Sequence, residues 1–204
     1  EILQAVCDAG RQLREELEET YNQQLIRQQW ENNLSRLQEM FVQNWVAGEY
    51  TAERVEHKSR ELRLALPADS RYAVAALEMD PLAEGETRFR ENDGPLLSFS
   101  LLCIAREFAE QTDGLHMAFN DRFGRTILIM RFGSAEEHNL VQRMNGLVGK
   151  LLILIKECLK LTASAGIGKL APRDQVPLSY QQSIRALHDR VLYGADLVIP
   201  FRED

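Results

Sequence analysis

The run Gly166-Ile167-Gly168-Lys169 raises the first chemical question, because glycine-rich loops that lead into a lysine can wrap backbone amides around phosphates. A phosphate loop of the Walker type also needs a glycine five positions before its Gly-Lys pair and a Ser or Thr after it. Those positions hold Ala163 and Leu170. The dinucleotide pattern fails as well, since Gly166 and Gly168 lead into Pro172-Arg173-Asp174 where a helix-opening glycine is required. The stretch therefore reads as a strand running into a turn.

Other chemistries find no better footing. The chain has no HExxH, no GxSxG and no cysteine with a histidine at a recognisable spacing. Cys7, Cys103 and Cys158 stand far apart without a CxxC, which predicts buried thiols in a reducing, cytoplasmic compartment and neither a disulfide nor a zinc site. His57, His116, His138 and His188 are equally scattered. Glu136-Glu137-His138 reads as a solvated first helical turn, where acids meet the positive end of the helix dipole. His188 and Asp189 read as a helix-surface pair, and Trp30 and Trp45 as interface anchors. No metal and no cofactor is expected from these residues.

The elements that must carry any site set further bounds. With 31 acids against 24 bases the net charge is −7, so the chain lacks the basic field that draws proteins onto nucleic acid. An apolar fraction of 45% is enough for a real core. The most apolar run, LVGKLLILIKECL, is broken by Lys150 and Lys156 and is too short to cross a bilayer. The chain begins in helical pattern without an initiator methionine, and is expected to be a piece of a longer protein.

From residue 1 to 48 apolar residues recur every three, four or seven positions, which predicts one long helix. Such a helix cannot bury its stripe alone. Leu13, Leu17, Trp30, Leu34, Leu37 and Phe41 are the expected seam of a parallel two-stranded coil with a second copy; the alternative is packing against its own domain. Gln23, Gln24, Gln28 and Gln29 crowd the middle, where a stutter is expected. Residues 49–69 form a connection: Gly48 stops the long helix, Thr51 caps a second one to about Leu64, and Pro67 breaks it.

From residue 70 to 204 the order is β-α-β-β-α-β-α-β. Strands are predicted at 71–79, on both sides of Arg122-Phe123-Gly124, at 162–168 and at 196–201. Helices are predicted from Asp93 to about Glu110, from a Ser134–Glu137 capping box to about Lys160, and from Ser179 to Tyr193. The fold class is thus α+β: a long N-terminal helix, then a ferredoxin-like α/β domain with a mostly antiparallel sheet and flanking helices.

TASAGIG resembles the "vSvGIG" strand of GGDEF-type domains, and SYQQSIRALHDRVLYG is similar to the "SYxEAxxAL" helix of their degenerate relatives in transcription regulators. EILQAVCDAGRQLREEL looks like the last helix of a receiver domain running into a linker. Together these stretches resemble the middle region of YesN-type two-component response regulators of the AraC class. That resemblance implies a receiver before this region and an AraC-type DNA-binding domain after it; the homodimer through the first helix is expected from the periodicity above.

In the active members of the resembled family, acids of a DxDxFK motif and of the GGDEF hairpin hold magnesium, and a glycine pair approaches GTP. Here the first motif position carries Glu78-Met79-Asp80-Pro81-Leu82-Ala83, and the hairpin carries Asn120-Asp121-Arg122-Phe123-Gly124 without a glycine pair. The resemblance therefore implies a degenerate, non-catalytic domain that relays a signal. The alternative it leaves open is a ligand sensor that binds a nucleotide or small metabolite in a cleft lined by Glu78, Asp80, Asn120, Asp121 and Arg122.

Overall fold

The computed structural model describes residues 2–112, 115–133 and 139–203. The chain divides into two compact units, Glu1–Phe41 and Val42–Asp204. Helix α1 spans Ile2–Val46, about 68 Å at 1.5 Å per residue. Within the first unit, Leu13, Leu17 and Tyr21 are 60–66% exposed and Trp30 and Leu37 about half exposed, so the apolar stripe stands open. Leu34 is half-buried and Phe41 is buried, which takes Phe41 off the surface offered to a partner.

The second unit starts at Val42 rather than at residue 70, because the last turn of α1 belongs to its core. Trp45 is buried, its indole N–H donates to the Arg173 carbonyl (3.2 Å), and its ring meets Tyr72 edge-on at 5.8 Å. Trp45 is thus a core residue and not an interface anchor. Gly48, at φ +78°, supplies the left-handed residue that ends the helix. Helix α2 (Ala52–Glu61) is capped by Thr51, whose hydroxyl accepts the Arg54 amide. It stops three residues short of the expected end, where Arg63 turns left-handed.

Strands β1 (Arg71–Met79), β2 (Leu115–Asn120), β3 (Thr126–Phe132), β4 (Ala163–Ile167) and β5 (Val198–Pro200) form one sheet in the order β2-β3-β1-β4-β5. All neighbours are antiparallel except β4 and β5. Helices α3 (Gly94–Gln111) and α4 (Leu140–Leu159) cover one face, where Leu101, Leu151 and Ile155 pack on Ala73, Ala75 and Leu77. Helix α5 (Val176–His188) covers the other face, against β1 and β4. It begins before Ser179 because Pro177 sits in its first turn, where a missing N–H costs nothing. A bend at Asp189 separates it from α6 (Arg190–Tyr193), so the single helix expected there is two.

The Gly-Ile-Gly stretch is β4 and its exit. A Cβ on Gly166 would lie 2.1 Å from the Ser183 carbonyl oxygen, and one on Gly168 would lie 2.0 Å from that of Ser179. These glycines let α5 rest on bare backbone. The capping box at Ser134–Glu137 and the Glu136-Glu137-His138 turn lie outside the described residues. Cys7, Cys103 and Cys158 are all exposed, against the expectation of burial, because each falls on the solvent side of its helix. Among the described residues no helix is long and apolar enough to cross a membrane.

Candidate functional site

A cleft of about 840 Å³ opens where β1 ends, between the start of α3, the β2–β3 turn and α6. Glu78, Asp80, Arg90, Ser98, Asn120 and Arg190 supply its polar lining. Strand β1 runs apolar and buried to Leu77, and its last residues Glu78 and Met79 pair with Ser164 and Ala163 of β4. That places the Glu78 side chain half-exposed at the rim and the Asp80 carboxylate at 2% exposure beneath it.

One cation meets both acids. Arg190 holds Glu78 Oε2 at 3.1 Å through Nη2 and Asp80 Oδ1 at 3.6 Å through Nη1. Its Nη1 also donates to the Met79 carbonyl (3.3 Å). Asp80 Oδ1 accepts the Ser164 hydroxyl at 2.7 Å, and Oδ2 accepts the Asp196 amide at 2.9 Å. The carboxylate is therefore satisfied on both oxygens by the protein itself.

Of the five residues singled out in the sequence, the structure brings Glu78, Asp80 and Asn120 to this cleft. Asp121 and Arg122 turn to the other side of the hairpin, where they line a smaller cavity of about 210 Å³ with Gln43, Phe119 and Tyr180. Asp121 is the organiser of the turn. Its Oδ1 accepts the amides of Phe123 (2.8 Å) and Arg125 (3.0 Å), and its Oδ2 accepts Arg125 Nε (2.7 Å) and the Tyr180 hydroxyl (3.0 Å). Burial and then the Asp121 carboxylate hold the Tyr180 phenol above its ordinary range. Arg122 pairs with Glu49, in the loop after α1.

Asn120 is engaged on two atoms. Its carbonyl accepts Gln43 Nε2 from the last turn of α1 (2.9 Å), and its Oδ1 accepts the Thr126 hydroxyl (3.0 Å). His188 is exposed, and neither it nor Asp189 lines the cleft.

Sequence reasoning missed Arg190, Ser164 and Asp196. Arg190 follows the His188-Asp189 pair directly, but its reach to β1 depends on the bend that starts α6. Ser164 carried a weak signal, being the one hydroxyl inside an otherwise aliphatic strand.

Hard divalent cations need several free oxygen ligands. Here the two acids face a guanidinium, and among the described residues no group of three or more His, Cys, Asp or Glu side chains is placed to hold a metal. The residues of this cleft do not fit a divalent cation.

The sequence pattern of the GGDEF-like domain matches residues 47–188. The chain belongs to that family. Among solved structures it is similar to the GGDEF domain of DgcB from Caulobacter crescentus in complex with c-di-GMP, at 11% identity and a TM-score of 0.51, over 75% of this chain and 91% of that one. It is also similar to the active GGEEF domain of a diguanylate cyclase from Vibrio cholerae, at 12% identity and a TM-score of 0.43, over 73% of this chain and 90% of that one. Comparison with curated proteins gave no match.

The first of these likenesses concerns the fold alone. Within this GGDEF-like domain, the acids at the end of β1 and the acid of the hairpin are not gathered at one point. The former are held by Arg190, the latter by Arg125 and Tyr180.

Proposed function

We propose that this GGDEF-like domain with its long helix is a non-catalytic relay and dimerisation segment of a two-component response regulator controlling transcription. It would couple an upstream receiver to a downstream AraC-type DNA-binding domain. The observation that carries the non-catalytic part is the Arg190 guanidinium lodged against Glu78 and Asp80. A protein cation already neutralises the acids that metal-assisted phosphoryl chemistry would require.

The relay part is supported by two features. The exposed stripe through Leu13, Leu17, Trp30 and Leu37 is an apolar face of the kind that pairs with a second helix. The last turn of the same helix is bonded to the domain at Asn120 and Arg173. A change in helix pairing would in this reading be passed to the hairpin as a two-state rearrangement.

The test has two readouts on one preparation. Incubation with GTP and Mg²⁺ is expected to yield no cyclic dinucleotide, and the mass in solution is expected to rise to two copies across a concentration series. Turnover of GTP sinks the non-catalytic reading, and a single copy at the highest concentration sinks the dimer.

A second reading rests on the cleft itself. Its volume of about 840 Å³ is that of a small-molecule site, and both Arg90 and Arg190 line it. A nucleotide or small metabolite sensed there would raise the melting temperature, since a ligand of the native state alone stabilises it. A screen with nucleotides and divalent metals that moves no transition removes this reading.

A further inference from the structure

The segment Arg190–Pro200 leaves α5 and returns to the sheet edge as β5, a strand of only three residues. Beyond the parallel pairing of Val198, Ile199 and Pro200 with Ala165, Gly166 and Ile167 of β4, two backbone bonds flank this return. Ala165 donates to the Leu197 carbonyl and Phe201 to the Ile167 carbonyl, both at 2.8 Å. Between α6 and β5 the chain passes Gly194 at φ +104° and Asp196 at φ +61°. Aspartate is among the few non-glycine residues that enter the left-handed region readily.

What holds it comes from the body of the domain. The Asp196 amide donates to Asp80 Oδ2 at 2.9 Å, and the Asp196 carboxylate pairs with Lys156 on α4. The next amide, Leu197, donates to the Ser164 hydroxyl oxygen at 3.4 Å, while that hydroxyl donates to Asp80 Oδ1 at 2.7 Å. Upstream, Arg190 reaches the same Asp80 oxygen. One buried carboxylate therefore touches both ends of the return, α6 and the entry to β5.

We propose that Asp80 is the catch of a C-terminal strap, residues 190–200, with Arg190 as its cation. The strap is held through this single buried carboxylate more than through its short edge strand. Because Arg190 also walls the cleft, strap and cleft move together: loss of the Asp80–Arg190 contact opens the cleft and loosens the entry to β5. This inference stands on the contacts of Asp80 and does not depend on the relay reading.

Hydrogen exchange of the full chain tests it. Asp80→Asn keeps the side-chain shape and removes the charge, and the amides of residues 196–199 and 201 are expected to exchange about tenfold faster while those of β3 and α4 stay within about twofold, as in local opening. Arg190→Gln leaves Asp80 intact and is expected to loosen the same amides without altering β3. Glu78→Gln, at the exposed end of the Arg190 fork, is expected to leave the strap protected. Unchanged exchange of these strap amides in Asp80→Asn, or faster exchange spread evenly over β1, β3 and β4, overturns the proposal. So does a Glu78→Gln variant that loosens the strap as much as Asp80→Asn. Should Asp80→Asn fail to fold, Arg190→Gln decides: a strap as protected as in the parent chain overturns it.

Discussion

The hydroxyl oxygen of Ser179 accepts the main-chain amide of Val74 at 3.0 Å, so a side chain from α5 completes the hydrogen-bond ladder of β1. The Val74 carbonyl takes the Gly168 amide at 2.9 Å, one residue beyond the end of β4. Ser179 thus supplies an acceptor where β4 has turned away. It is fully buried, and water cannot replace it.

Ser179→Ala is expected to leave the Val74 amide unsatisfied and to cost about 1–3 kcal/mol. Ser179→Gly should cost no less, which separates the lost acceptor from any change in bulk. Urea midpoints of the two variants check this, and a loss under half a kilocalorie for Ser179→Ala would show that Val74 finds another acceptor.

The two glycines opposite α5 give a sharper contrast. In Gly166→Ala and Gly168→Ala the new methyl meets main-chain atoms of α5 near 2 Å, so a whole helix must shift. Each is expected to cost at least about 3 kcal/mol, at the upper end of overpacking effects because backbone cannot rotate aside. Gly146→Ala on α4 meets nothing within 4 Å and should gain about 0.5–1 kcal/mol from helix entropy. Thermal unfolding of the three variants side by side is the measurement, and a stable Gly168→Ala protein would refute the close approach.

The same contact explains what was legible in the chain. Strand β1, the hairpin and the Gly-Ile-Gly strand were readable because apolar runs and turn residues are local signals. The α+β class with a mostly antiparallel sheet followed from the β-α-β-β-α-β-α-β order. The Arg190 contact was not readable, since it depends on a one-residue bend at Asp189 that re-aims a side chain across the sheet edge. Nor was the split of the hairpin residues. Asn120 and Asp121 are adjacent in sequence, yet the turn sends one to the cleft and the other to Tyr180. Nor was the break between the two compact units at Phe41 and Val42 readable: α1 stays helical through Val46, while its burial changes abruptly near Phe41 and Val42.

Asp121 offers a graded test of the hairpin. Tyr180→Phe removes one of the four donors to its carboxylate and is expected to cost about 1 kcal/mol. Asp121→Asn removes the charge facing Arg125, which is itself only 14% exposed, and should cost about 2–3 kcal/mol as a charged hydrogen bond is lost. In a double-mutant cycle the two losses should be less than additive, because they share the Asp121 oxygen. Equal losses in the two single variants would argue against Asp121 as the organiser of the turn.

Tyr72 makes the alkaline limb of stability testable. It is fully buried beneath Trp45, its hydroxyl donates to the Pro67 carbonyl at 2.9 Å, and burial pushes its phenol up to about 12 despite Arg131 and Arg173 nearby. The unfolded chain ionises this group near pH 10, whereas the folded chain keeps it neutral. Stability from the neutral phenol is therefore fully present below pH 10 and is lost as pH rises toward about 12. Tyr72→Phe gives up the hydrogen bond, about 1 kcal/mol at neutral pH, but has no proton to lose. Its melting temperature should accordingly fall less steeply between pH 10 and 12 than that of the parent chain. Parallel curves for the two proteins would mean that the phenol is reached by water before the fold gives way.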